Sequence, residues 1–246
     1  MSAKKANSKY VPQPTSSRST WILGGIAIVV IAAVVIIGVI WQSGRNETRN
    51  EGYGSVKNSA VQVQLQPGGV VRLGTPEATK TIDMYEDSLC PVCAQFEQMY
   101  GQEIAQAVDE GKIAVQYHLL DFLNPASASG NYSTRAAAAA QCVAESGNAE
   151  AYGKFHTDLF DPANQPKERG SSDHSNEELA QLAKQAGAPD AAVSCISGGT
   201  KVSSAGADAQ SAKAAMAALG GKGTPSVFNG TTSVDIGDKN WVSKVQ

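Results

Sequence analysis

Thr81-Ile82-Asp83-Met84-Tyr85-Glu86-Asp87-Ser88-Leu89-Cys90-Pro91-Val92-Cys93-Ala94-Gln95-Phe96 carries a Cys-x-x-Cys pair between an apolar run and a periodic segment. Cys93, Phe96, Tyr100, Ile104 and Val108 recur at steps of three and four, which predicts a helix with that face buried. Cys90 then lies one turn earlier, at the tip, where a strand becomes a helix. A helix N-terminus presents unpaired N–H groups and roughly half a positive charge, and both favour a thiolate over a thiol. Cys90 is therefore expected to have a lowered pKa. Pro91 suits the first helical turn, where its missing N–H is no loss. The chemistry this predicts is thiol–disulfide exchange, with Cys90 as nucleophile and Cys93 as resolving thiol.

Zinc is disfavoured at this pair, because a site built on Cys-x-x-Cys needs a second pair or two spaced His. Cys142 and Cys195 stand far apart, and His118, His156 and His174 are scattered. A purely structural disulfide in so short a ring is less favourable still. No metal and no organic cofactor is expected.

Working outward, residues 1–20 hold Lys4, Lys5, Lys9 and Arg18 with no acidic residue and read as a basic cytoplasmic tail. Trp21 to Trp41 is an uninterrupted apolar run whose length, at about 1.5 Å per residue, matches a bilayer core. It reads as a transmembrane helix that holds the chain in a lipid bilayer. The basic residues before it argue for a cytoplasmic N-terminus, so the remainder lies outside. The run exceeds a usual signal-peptide core and no Ala-x-Ala precedes Gln42-Ser43-Gly44, which favours an uncleaved anchor over a cleaved leader. Residues 42–66 read as a linker. Every acidic residue of the chain falls after position 46, giving that part a net negative charge and making nucleic acid a poor partner.

The globular part, residues 67–246, begins with a short strand at 69–74, and then comes the strand leading to Cys90. Gly111 ends the helical pattern as a C-cap glycine does, and Ile113 to Leu120 reads as a buried strand, completing a right-handed βαβ unit. Helices are expected from Ser133, as cap, through Glu145, from Ala149 to Phe160, and from Lys201 to Leu219. Ser175 with Glu178 makes a capping box for a helix that presents Leu179, Leu182, Ala183 and Ala186 and closes at Gly187 and Pro189. The even cysteine count and the extracytoplasmic setting predict a structural disulfide between Cys142 and Cys195, joining two helices; two buried free thiols are the competing reading, and a second redox-active pair is disfavoured because neither has a Cys-x-x-Cys neighbour.

The string from Arg72 through Phe96 resembles the entry to a DsbA-like thioredoxin-fold domain, and Gly223-Thr224-Pro225-Ser226-Val227-Phe228-Asn229-Gly230 resembles that family's Gly-Thr-Pro strand. The two motifs in this order are far more specific than either alone. The resemblance covers roughly residues 68–246, and the anchored form is similar to the membrane-anchored actinobacterial type. It implies an α/β thioredoxin fold with an inserted α-helical subdomain at about 131–220, preceded by the transmembrane helix. It implies that Pro225 follows a cis peptide bond beside the dithiol, leaving the Thr224 backbone to pair with an extended substrate peptide.

The resemblance further implies an oxidoreductase that introduces disulfides into exported proteins with free cysteines. Its reoxidant would be a membrane protein such as a vitamin K epoxide reductase-like quinone enzyme. Val92 stands where the family's strongest oxidants carry His, so moderate oxidising strength is expected. A buried carboxylate often serves proton transfer in such folds. Asp83 is the candidate, one residue from the usual register, with Glu86 and Asp87 read as solvated loop residues. His118 and His156 read as packing residues. Two other classes compete: a reductase or isomerase of the same fold, and a binding or sensor module whose dithiol no longer exchanges.

Overall fold

Helix α1, Pro91–Asp109, is the element the domain is built on. Its predicted stripe is buried throughout, from Cys93 to Val108. Pro91 occupies its first turn, and Gly111 follows its end with φ +69°, a conformation that glycine adopts without penalty. The computed structural model describes residues 47–246. The expected basic tail and membrane span, with the first part of the linker, lie outside the described residues. Among those described, no helix is long and apolar enough to cross a membrane.

Strands β1 (Gln62–Leu65), β2 (Val71–Gly74), β3 (Thr81–Glu86), β4 (Ala114–Leu119), β5 (Ser226–Asn229) and β6 (Thr232–Ser233) form one sheet in the order β1-β2-β4-β3-β5-β6. β3 and β4 are parallel, with α1 as their crossover, and every other pair is antiparallel. Gly74 lets β2 approach β4 closely: a Cβ there would sit 2.5 Å from that of Ala114.

Between β4 and β5 run α2 (Tyr132–Glu145), α3 (Ala149–Phe160), α4 (Asn176–Gln185), α5 (Asp190–Ser197) and α6 (Val202–Ala218). A last short helix, α7 (Trp241–Lys244), stacks Trp241 on Phe96 of α1. The capping box at Ser175 and Glu178 forms in full. Helix α2 starts earlier than expected, with Asn131 at its N-cap. Ser133 is not a cap: it is buried inside the first turn and donates to Asp87.

The alternation of β3 divides its side chains between two environments. Ile82, Met84 and Glu86 face α1 and α3, whereas Tyr85 joins Leu120, Phe228 and the α6 residues Ala212 and Met216 in a second apolar cluster.

The linker expectation needs correction. Residues 47–61 run along α1, and 62–65 form β1. Arg49 pairs with Glu103 at 3.1 Å, Tyr53 donates to Asp109 at 2.7 Å, and the backbone N–H groups of Lys57 and Asn58 also reach the Asp109 carboxylate. The polar face of α1 supplies acceptors for an otherwise unpaired backbone, and Val56 buries itself beneath. Such docking leaves no hydrophobic period to read in the segment.

Candidate active site

Cys90 is the N-cap of α1, and its carbonyl accepts the first helical hydrogen bond from Ala94 at 3.1 Å. Both cysteines of the pair are thiols here. Cys93 has no exposure, and Cys90 keeps 6%, less than its expected place at the tip suggests. Their acidities are pushed apart. The Cys93 thiol and backbone N–H donate toward the Cys90 sulfur and hold its pKa below the usual thiol range, against the opposing effect of burial. Burial drives Cys93 well above that range, with the neighbouring Cys90 and Glu86 charges adding to it. A deprotonated Cys90 beside a protonated Cys93 is the state this arrangement favours.

The Thr224–Pro225 bond is cis and precedes β5. It brings the Thr224 carbonyl 3.6 Å from the Cys90 sulfur, which donates to it as a thiol. Residues 134 positions apart in the chain therefore share one site. Cys142 and Cys195 lie elsewhere, bonded to each other across α2 and α5 with a Cα separation of 5.9 Å.

The carboxylates differ from the expectation. Asp83 is part-exposed and bonds His118 at 2.8 Å on the α6 side of the sheet, with the His118 ring stacked on Tyr85. It does not lie under the dithiol. Glu86 and Asp87 are not solvated: both are fully buried. Glu86 ends β3 on the face toward α1, and Asp87 opens the turn to Cys90, so neighbouring helices cover both.

Asp87 organises the loop. One carboxylate oxygen accepts from the Leu89 N–H at 2.9 Å and the Ser133 hydroxyl at 2.7 Å, and the other accepts from the Leu123 N–H at 2.9 Å. Burial raises its pKa to about 6 in spite of these donors. Glu86 is pushed further, to about 8, by burial and then by the adjacent Glu97. Beside it stands His156 of α3, whose Nε2 lies 3.3 Å from Glu86 and 3.6 Å from Glu97. These three side chains are the one group of metal-ligating type found close together among the described residues.

Sequence reasoning missed Gln165. The loop after α3 carries its amide to the active-site turn, where Nε2 donates to the carbonyls of Ser88 (3.1 Å) and Cys90 (3.0 Å). Arg135 of α2 anchors the far end of that loop through Asp173 at 2.7 Å. No local pattern distinguishes Gln165 from any other loop glutamine. The helical segment between β4 and β5 thus reaches the active-site turn through Gln165 and the buried Glu86 through His156.

Comparison with known proteins places this geometry. A thioredoxin family model matches residues 66–244. The chain is 38% identical over 186 residues to the serine/threonine-protein kinase PknE of Mycobacterium tuberculosis, covering 76% of this chain and 33% of that protein. It therefore spans about a third of the length of the curated relatives it matches. Among solved structures, the thiol-disulfide oxidoreductase MdbA of Corynebacterium diphtheriae aligns with a TM-score of 0.68 at 26% identity, over 80% of this chain and 98% of MdbA. Reduced DsbA of Mycobacterium tuberculosis aligns with a TM-score of 0.58 at 31% identity, over 68% of this chain and 85% of that one. The chain belongs to the thioredoxin family, as a DsbA-like protein thiol:disulfide oxidoreductase.

Proposed function

We propose that the protein oxidises dithiols of exported proteins outside the cytoplasm, tethered to the membrane by residues 21–41 with its N-terminus inside. The observation that carries the reading is the divergent pair of thiols: Cys90 lowered at the head of α1, beside the Thr224 carbonyl, and Cys93 raised behind it. A substrate thiolate attacks the Cys90 sulfur of the Cys90–Cys93 disulfide, the S–S bond breaks, and its electron pair passes to Cys93. A second substrate thiolate then attacks the substrate sulfur of the mixed disulfide and expels Cys90, which leaves readily because its pKa is low. Thr224 and Pro225 form the edge along which an extended substrate docks.

Cys93, with its raised pKa, needs a proton when it is released. Glu86 supplies it: a carboxyl with a pKa of about 8 is largely protonated near neutrality, and its charge influences both cysteines. Glu86 takes the role that the sequence assigned to Asp83. The Cys142–Cys195 disulfide is structural. Reoxidation falls to a membrane partner such as a vitamin K epoxide reductase-like quinone enzyme.

The test is the reduction potential of the Cys90–Cys93 couple in the full-length chain, equilibrated in glutathione buffers, with Cys90→Ser as control. A potential above about −180 mV supports an oxidase, since thioredoxin lies near −270 mV and DsbA near −120 mV. A value near −250 mV or lower overturns the oxidase and assigns a reductase fed from across the membrane. Exchange activity undiminished in Cys90→Ser would remove the assigned chemistry altogether.

A further inference from the structure

Glu86 and Glu97 reach the same buried point from β3 and α1, with side chains that are almost wholly inaccessible. Two carboxyl groups so close in a dry interior cannot both ionise unless a cation offsets their repulsion. Among the described residues, neither forms an ion pair with a Lys or Arg, and the one basic group against them is His156 on α3. Its Nε2 lies within ion-pair distance of both carboxylates, 3.3 Å from one and 3.6 Å from the other, and is hydrogen-bonded to neither. The ring is otherwise enclosed by Tyr117 of β4, with centroids 4.3 Å apart, and by Tyr152 and Phe160 of its own helix. Neither tyrosine supplies a charge: burial holds both in the phenol form. A cavity of about 20 Å³ adjoins Glu97 and His156 beneath Val56, room for a single water.

We propose that His156 is a positioning residue for the exchange reaction: as an imidazolium held between Glu86 and Glu97, it stabilises the carboxylate that Glu86 becomes when its proton passes to Cys93. The inference rests on the exchange chemistry proposed above. When the Cys90–Cys93 bond breaks, the electron pair goes to the Cys93 sulfur, the Glu86 proton follows it, and the new carboxylate pairs with His156. When an incoming disulfide reoxidises the dithiol, the Cys93 proton returns to Glu86 as the sulfur forms its bond. Burial alone lowers the pKa of a histidine, but the two carboxylates outweigh it and raise this one to about 10, so the imidazolium persists through the working pH range.

The test uses the full-length chain and two variants with opposite expected effects. In His156→Gln, Glu86 loses its counter-charge. The pH midpoint for oxidation of the dithiol by excess glutathione disulfide should rise by about one unit, a roughly tenfold slower rate at pH 7. In Glu97→Gln, a repelling charge is lost and the midpoint should fall. The Cys90 thiolate absorbance titration should stay unchanged in both, and His156→Gln added to Glu86→Gln should slow the reaction less than twofold further, because His156 acts only through Glu86. Nitrogen-15 shifts of His156, assigned by difference from His156→Gln, should show an imidazolium at pH 8 whether or not the chain exchanges disulfides. That readout separates failure of this inference from failure of the exchange reading. A neutral His156 at pH 7, or unchanged pH midpoints in both variants with only their stability lowered, overturns the proposal. So does a stoichiometric divalent metal that elemental analysis finds in the wild type and not in His156→Gln.

Discussion

Replacing Ser133 with Ala separates two roles that the residue could hold. As an N-cap, its loss would cost about 1 kcal/mol at any pH. The structure instead makes it a donor to the buried Asp87 carboxylate at 2.7 Å. A hydrogen bond to a charged group contributes about 1.5–3 kcal/mol, against about 0.5–1.5 kcal/mol for a neutral one. Asp87 has a pKa of about 6, so it is ionised at pH 7.5 and protonated at pH 4.5. Ser133→Ala should therefore cost about 2 kcal/mol at pH 7.5 and about 1 kcal/mol at pH 4.5. The difference of about 1 kcal/mol raises the Asp87 midpoint by about 0.7 pH unit. The sign is fixed by linkage. A carboxyl raised in the folded state contributes stability that is present below its unfolded pKa and lost as pH rises through its folded one, and the variant extends that loss to higher pH. Urea denaturation of the full-length chain followed by circular dichroism from pH 4.5 to 8 measures it. Equal losses at both ends of the range, or a loss below about 0.5 kcal/mol throughout, would refute the assignment of Ser133 to Asp87.

Gln165→Ala removes two hydrogen bonds from the active-site turn and should lower stability by about 1–2 kcal/mol. Because the amide also offsets the negative ends of the Ser88 and Cys90 carbonyls, the Cys90 thiolate titration at 240 nm should move upward; an unmoved titration and an unmoved denaturation midpoint together would count against that role. Converting both Cys142 and Cys195 to Ser opens a link across 53 positions and should cost about 4 kcal/mol in the chain-entropy picture, with exchange at Cys90 retained. Loss of exchange in a still-folded double variant would tie that disulfide to the chemistry. Glu86 is fully buried and raised to about 8, so its contribution to stability is present below pH 4.5 and lost as pH rises through 8. Between pH 5 and 8.5 the wild type should lose about 4 kcal/mol more than Glu86→Gln, and parallel pH profiles of the two would contradict the burial.

Much of the architecture follows from signals carried within a few residues. The step of three and four from Cys93 to Val108 specifies α1 and its buried face, because helical geometry puts those positions in one row. Gly111, the Ser175 and Glu178 capping box, and the 149–160 pattern act over one or two turns, so each is written next to the backbone it shapes. The cysteines at the junction of β3 and α1 belong to the same class, since the head of a helix is a local environment.

Other features depend on what arrives from elsewhere in the chain. Glu86 and Asp87 look like ordinary acidic loop residues in the sequence. Their burial arises because α3 covers the first, and Ser133 of α2 and the Leu123 N–H close over the second. Asp83 sits in the same strand, yet the period of two turns it to the opposite side of the sheet, where His118 meets it. Residues 47–61 carry no apolar period because they dock by backbone hydrogen bonds to acceptors on α1. Gln165 reaches Cys90 across 75 positions and His156 reaches Glu86 across 70. The sequence by itself determined the dithiol, its helix and the succession of strands and helices, since those obey short-range periodicity and capping. Only the tertiary structure decided which carboxylates are buried behind β3 and which histidine lies against them, since burial and charge pairing are set by the elements that pack across a strand rather than by its neighbours in the chain.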